Sequence, residues 1–321
     1  MGWGGNRINI LFLIITPRRM GRVSEALRRA AHTSWRFPLR PTEPPPICEA
    51  RRPRQTDMGC CSSRSVGSEL WDDLAESTPG VFRVTSATSP AVREAVDVVT
   101  RAFSGTATTQ PELCIDWCLG DRYAGKWEDP VRVESVRWIA RLVHLMALRA
   151  GPEQAVLCAR EPGSDAVAAV AVVHHCASPP SELGVWWSAV RTVLCTDIGD
   201  PPWMKDKRIA RRMDSNDSKI ARMHVKHTKS RKRHIYVQML AVRPESQGKK
   251  MASLLMHAVN VIADRIGVPC YLECSGARNV EVYRHFGYEP VERMSIPDPS
   301  GGASFDDFHA LIRPPTSCEH P

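Results

Sequence analysis

Residues 234–252 read His-Ile-Tyr-Val-Gln-Met-Leu-Ala-Val-Arg-Pro-Glu-Ser-Gln-Gly-Lys-Lys-Met-Ala, and residues 271–290 read Tyr-Leu-Glu-Cys-Ser-Gly-Ala-Arg-Asn-Val-Glu-Val-Tyr-Arg-His-Phe-Gly-Tyr-Glu-Pro. From His234 to Val242 the chain is apolar and β-branched, and it ends at Arg243-Pro244. That pattern predicts a strand running into a turn. Over 251–265, Leu254, Leu255, Ala258, Val259 and Ile262 recur at the spacing of one buried helical face. Ile266-Gly267 and Pro269 end that helix. A second strand is predicted over Val268 to Cys274, then a turn at Ser275-Gly276. A short helix follows from about Asn279, closing at Phe286-Gly287. On it, Asn279 and Tyr283 lie one turn apart on one face. A glycine-bearing turn that opens a helix presents free N–H groups and the positive end of the helix dipole, which suits a pyrophosphate.

These residues resemble the GNAT superfamily of acyl-CoA N-acyltransferases, whose phosphate motif is Gln/Arg-x-x-Gly-x-Gly/Ala. Gln247-Gly248-Lys249-Lys250-Met251-Ala252 matches it at Gln247 and Ala252, with Lys250 in place of the middle glycine. Leu272-Glu273-Cys274-Ser275, followed by Asn279, Tyr283 and Phe286-Gly287-Tyr288, is similar to the family's second strand and following helix. Within the superfamily, the His234-x-Tyr236 entry and the Leu-Glu-x-Ser strand look most like the puromycin-type small-molecule acetyltransferases.

The resemblance implies a GNAT fold, of α/β (α+β) class: a mixed, mostly antiparallel sheet flanked by helices, with two central strands splayed around acetyl-CoA. It also implies acetyl transfer to an amine of a small molecule or peptide by direct attack. Gln247, Gly248, Lys249, Lys250, Met251 and Ala252 would hold the pyrophosphate. Backbone around Met239, Leu240, Ala241 and Val242 would hold the thioester and pantetheine, and Asn279 the cofactor arm. Tyr283 would protonate the departing thiolate. Glu273, mid-strand among apolar neighbours, reads either as the base or as a structural carboxylate, and Gln238 cannot act as a base. The alternative from another class is a lipid-anchored adaptor that keeps the fold and CoA binding but has lost turnover.

A chain of 321 residues is long enough for one substantial core, and no apolar run reaches the ~18 residues of a membrane-spanning helix. Eleven cysteines are scattered. His174-His175-Cys176 and the Cys114/Cys118 pair do not supply four ligands at the usual spacing, so no metal is expected. Reduced thiols in a cytoplasmic protein are the default. Residues 1–57 carry 11 Lys/Arg against 4 Asp/Glu, and residues 205–233 carry 12 against 3, while the whole chain is +8. The rest therefore carries a net negative charge, which suggests an acidic or neutral body with two basic appendages. For the segment 205–233 a solvated helix with a loop, an acceptor-site element and a membrane-surface patch all remain open. Nucleic acid is not expected as a partner, because no aromatic residues interleave the charges.

Along the chain, residues 1–57 read as a disordered or spurious extension: an apolar run from Ile8 to Ile15, then Arg-rich and Pro-rich stretches. Arg richness loosely suggests a mitochondrial presequence, for which the early apolar block is atypical. Residues 58–80 read as a linker beginning Met58-Gly59-Cys60-Cys61-Ser62-Ser63. If Met58 is the true start, Gly59 fits a myristoylation site and Cys60 and Cys61 palmitoylation sites, which would bring the protein to membranes. The domain is predicted over 81–316. It starts with a strand at Val81 to Thr85 and a helix capped by Ser89 with Pro90 at its first position. A helix at 131–149, a hairpin of 155–160 with 166–174, a helix at 181–195 and a closing strand at 305–312 complete the reading.

Overall fold

The structure, a computed structural model, describes residues 68–316 apart from 152, 177–191, 193–195, 231 and 232. Gly59, Cys60, Cys61 and all of residues 1–57 lie outside the described residues, as does the helix expected at 181–195 apart from Thr192.

The elements run α1 (Ser68–Ser77), β1 (Val81–Val84), α2 (Pro90–Ser104), α3 (Leu113–Leu119), α4 (Pro130–Arg149), β2 (Gln154–Arg160), β3 (Val167–Cys176) and α5 (Lys207–Thr228). Then come β4 (His234–Val242), α6 (Met251–Ile266), β5 (Cys270–Ser275), α7 (Ala277–Arg284), β6 (Glu289–Ile296) and β7 (Phe305–Arg313). The seven strands form one sheet in the order β1-β2-β3-β4-β5-β7-β6. All neighbours are antiparallel except β4 and β5. That parallel pair is short, with rungs only at Ile235/Cys270, Tyr236/Tyr271 and Val237/Leu272. Beyond Val237 the two strands part, as the family resemblance implies.

Helices cover both faces. Along β3, Ala169, Ala171 and Val173 join a cluster with Trp71 and Leu74 of α1 and Leu255, Val259 and Ile262 of α6. The alternate residues Val170 and Val172 join the opposite cluster, with Val92, Val96 and Val99 of α2 and Val143 of α4. A strand covered on both faces has no reason to alternate polar and apolar residues, which explains the unbroken apolar run of β3. Local signals hold at the helix starts. The Ser89 side chain accepts from the Ala91 N–H, and the Asp129 side chain accepts from Val131 and Arg132. Arg313, at the end of β7, grips Asp264 of α6 with two charge-assisted bonds of 2.8 and 2.7 Å.

Two readings need correction. The linker expected at 58–80 contains α1, whose Trp71 is 0% exposed, so the packed domain begins before residue 81. The basic segment 205–233 is not an appendage. Most of it is α5, which buries Ile209, Met213, Ile220 and Met223 at helical spacing and points its cations outward. Its Arg212 is itself buried, bonding Asp298 at 2.8 Å and the Trp117 carbonyl at 2.9 Å. Two elements, α3 and β6, were not foreseen in the sequence. β6 alternates exposed and half-buried residues at the sheet edge, where Pro290 and Glu292 are tolerated. Among the described residues no helix is long and apolar enough to cross a membrane.

If α1 belongs to the core, Trp71→Ala removes a fully buried indole and should lower unfolding free energy by about 3–5 kcal/mol. Urea denaturation checks this, and a midpoint equal to that of the unaltered protein would show that α1 only rests on the surface.

Candidate active site

The parting of β4 and β5 opens a cleft of about 890 Å³, lined by both strands, the turn before α6, α7 and the inner faces of α3 and α5. The divergence is prepared on the other side of β4. Between Val172/Met239 and Val173/Val237 the ladder skips Gln238, a β-bulge that bends the strand. The Gln238 side chain lines the cleft and is held by His174, whose Nε2 lies 2.6 Å from its Oε1. Burial holds His174 near pKa 4, so the ring is neutral and donates that bond. From Gln238 to Val242 the edge of β4 that faces β5 has no strand partner, and Leu240, Ala241 and Val242 line the opening. One carbonyl there, that of Val242, accepts from Gln247 Nε2 at 3.4 Å.

At the mouth, the chain turns through Gly248 (φ 80°) and Lys250 (φ 63°, ψ 16°) into α6. Lys250 is the one non-glycine residue with positive φ among the described residues. This geometry accounts for a glycine at that place in the family motif: the backbone is left-handed there, which costs a residue with a Cβ about 1–2 kcal/mol. No side chain caps α6, so the amides of its first turn point their hydrogens into the mouth lined by Lys250, Met251, Ala252 and Ser253. That is an anion cradle in backbone form. Gln247 and Gly248 line it as well. Lys249 does not: its Nζ pairs with Glu161 at 2.9 Å, away from the cleft, which corrects its expected place.

Deeper in the cleft, Asn279 and Tyr283 project from one face of α7. Asn279 donates from Nδ2 to the Ser275 carbonyl at 2.8 Å, tying α7 to the end of β5. The Tyr283 ring packs against Tyr288, with centroids 6.1 Å apart, and its hydroxyl makes no hydrogen bond among the described residues. Burial, reinforced by Cys274 and Glu112, raises its pKa, so the phenol keeps its proton at neutral pH. Glu273 lies on β5 opposite Ala310 of β7. Burial pushes its carboxyl up to about 8, against the opposing pull of the neighbouring Tyr271 and Tyr236 hydroxyls. Its Oε1 is buried without a hydrogen-bond partner among the described residues.

Two further carboxyls face the same space and escaped sequence reading. Glu112 caps α3 by accepting from the Ile115 N–H at 2.6 Å and meets the Ser275 hydroxyl. Asp217 of α5, 5% exposed, makes no hydrogen bond or ion pair among the described residues. Burial raises the pKa of both. The N-cap position of Glu112 was a usable local signal, whereas Asp217 carried none. Trp203, Ile220, Tyr236 and Phe308 supply apolar wall.

Residues 209–288, from α5 to the end of α7, match the acetyltransferase (GNAT) family. The fold is the GNAT fold. The match supports an acyltransferase of that family and covers the turn, both diverging strands and α7. Solved structures with a similar course include histone acetyltransferase HPA2 and related acetyltransferase from Corynebacterium glutamicum. It is 18% identical, with a TM-score of 0.42, over 75% of this chain and 99% of that one. A mosquito arylalkylamine N-acetyltransferase like 5b is 13% identical, with a TM-score of 0.35, over 50% and 74%. Chaetomium thermophilum Naa20, in complex with a bisubstrate analogue, is 12% identical, with a TM-score of 0.34, over 73% and 86%. No curated protein matches the chain significantly.

The left-handed lysine makes its own prediction. Lys250→Gly relieves the Cβ at φ 63° and should stabilise the ligand-free protein by on the order of 1 kcal/mol. Differential scanning calorimetry reads this as a rise in Tm of about 2–4 °C. A fall in Tm would mean that the lysine side chain contributes more than the backbone strain removes.

Proposed function

We propose that this protein is an acetyl-CoA-dependent N-acetyltransferase that moves the acetyl group onto an amine by direct attack. The observation that carries the reading is the joining, in one cleft, of an uncapped helix N-terminus, an open strand edge, a protonated tyrosine and a buried carboxyl. The first-turn amides of α6, with Gln247 and Gly248, would hold the pyrophosphate, and Asn279 the cofactor arm. When bound, acetyl-CoA supplies the activated acyl group and a thiolate leaving group.

The remaining work falls to this chain's own residues. The open edge of β4 from Met239 to Val242 offers N–H groups where negative charge develops on a thioester oxygen. Glu273 takes a proton from the substrate ammonium, directly or through water, and frees the neutral amine to attack, because a carboxylate with a pKa of about 8 is close to the task. Tyr283 donates its phenolic proton to the departing sulfur. The acceptor end carries Glu112, Asp217 and Glu273 among Trp203, Ile220 and Phe308, a lining that favours an amine attached to an apolar body. The resemblance of His234-x-Tyr236 and Leu272-Glu273-x-Ser275 to the puromycin-type branch supports a small-molecule acceptor.

Acetyl-CoA at ~100 times its Kd should stabilise the protein by about 2.7 kcal/mol. Tyr283→Phe should retain that shift while turnover, followed as free thiol release across an amine panel, falls by on the order of 10²–10⁴. A folded sample with no thermal shift at millimolar acetyl-CoA ends this reading.

The pH dependence is signed by Glu273. Its base form is present above the raised pKa and lost below it, so kcat/KM should rise with pH through about 8. Glu273→Gln should abolish that limb. A limb that survives the substitution assigns the proton acceptor elsewhere.

A further inference from the structure

Outside the catalytic residues, three ligand-type side chains from three elements converge where β3 ends, β4 begins and α5 passes over them. Cys176 and His234 are directly opposite each other in the antiparallel β3/β4 ladder, so their side chains leave the same face. His224, in the last two turns of α5, reaches down onto that face. The Sγ of Cys176, a ring nitrogen of His224 and one of His234 all lie within 4.8 Å of one another. The two Nε2 atoms are 2.8 Å apart. We propose that Cys176, His224 and His234 form a binding site for one divalent cation of the zinc type, with water as the fourth ligand.

The donor set is what selects the ion. One thiolate and two imidazoles suit zinc, whereas calcium and magnesium take oxygen ligands. A tetrahedral ion with Zn–N of about 2.0–2.1 Å and Zn–S of about 2.3 Å sets its ligand atoms roughly 3.3–3.6 Å apart. The imidazoles therefore open by a few tenths of an ångström, and the thiol closes by about one. The ring of His224 is already fixed for this: it lies stacked on Tyr271 at 4.8 Å and 15°, and edge-on to His234 at 5.0 Å and 81°. Both imidazoles bind an ion in the neutral form, through a nitrogen lone pair.

Cys176 gives the complementary signal. It lies within the field of Glu153, whose carboxylate charge favours a dication at this place. On binding, the Sγ–H bond breaks and its proton leaves to solvent. The Nε2–H···Nε2 bond between the histidines is lost as the donor ring moves its proton to Nδ1, and both Nε2 lone pairs turn to the ion. Cys176 and His224 are both partly exposed, which leaves a path for entry. An ion there would pin the C-terminal end of α5 to the sheet, and with it the helix that presents Asn216, Asp217 and Ile220 to the cleft. The sequence hides the set because 47 residues of chain lie between Cys176 and His224 without a motif spacing.

The test uses the full chain, stripped with a chelator and then titrated with Zn²⁺ by calorimetry and with Co²⁺ by absorption. One equivalent of each should bind, with Co²⁺ giving a thiolate-to-metal band in the near ultraviolet and the visible bands of a tetrahedral site. Cys176→Ser should abolish the near-ultraviolet band and weaken zinc ~tenfold or more, since even outer-sphere changes cost 10–100-fold. His224→Gln, with folding checked by circular dichroism, should weaken it comparably. If His224→Gln does not fold, the Cys176→Ser spectrum decides. No stoichiometric uptake at micromolar metal would overturn the site and leave the His224–His234 pair as a simple hydrogen bond. An unchanged band in Cys176→Ser would place the ion elsewhere and overturn it too.

Discussion

The cleft, and the reaction proposed for it, depend on one interrupted ladder. β4 and β5 share three rungs and then part, and a parallel pair that stops short leaves buried-edge N–H and C=O groups with no partner in the sheet. Such groups are costly unless something polar meets them, so the gap is a demand for a ligand as much as a void. The skipped residue at Gln238, the turn with left-handed backbone at Gly248 and Lys250, and the uncapped start of α6 all sit around that gap. The remaining strands and helices hold the two halves rigid enough for the parting to persist.

Burial acts on the two central titratable groups in the same sense and, in the proposed reaction, suits them to opposite uses. It raises both Glu273 and Tyr283. For the carboxyl this moves a weak base toward the working range. For the phenol it moves the group further from ionisation, so the proton stays available for donation. In the proposed reaction one cleft therefore supplies an acceptor and a donor from residues of two adjacent elements, β5 and α7.

How much of this could be read in the chain depended on how local each signal was. The run from His234 to Gly287 was legible because its strands, caps and turns are encoded within a few residues of where they act. α1 was missed since Trp71 and Leu74 sit behind a cysteine- and serine-rich stretch that dominates the composition. α5 was misjudged because its positive charge outweighed Ile209, Met213, Ile220 and Met223, the residues that fix where it lies. β6 alternates so weakly, with Pro290 and Glu292 inside it, that only its pairing with β7 defines it. In the site, Tyr283, Asn279 and the α6 turn come from one stretch. Glu112 and Asp217 reach the cleft only through tertiary packing. Lys249 and Lys250 are identical in type and adjacent, and only the backbone angle at Lys250 separates an ion-pair partner of Glu161 from a cleft residue.

The strand order has a consequence for how the chain comes together. β7, the last strand, is inserted between β5 and β6 and is not added at an edge. β1 to β4 can zip as successive antiparallel neighbours while synthesis proceeds from the N-terminal side. β5 has only three rungs to β4, and β6 has no neighbour but β7. The half of the sheet that bears Glu273 therefore waits for residues 305–313 to be released, and the clasp of Arg313 on Asp264 closes last. A nascent chain paused before Phe305 would hold the turn before α6 and its strand pair side by side, yet leave the floor beneath them unlaid.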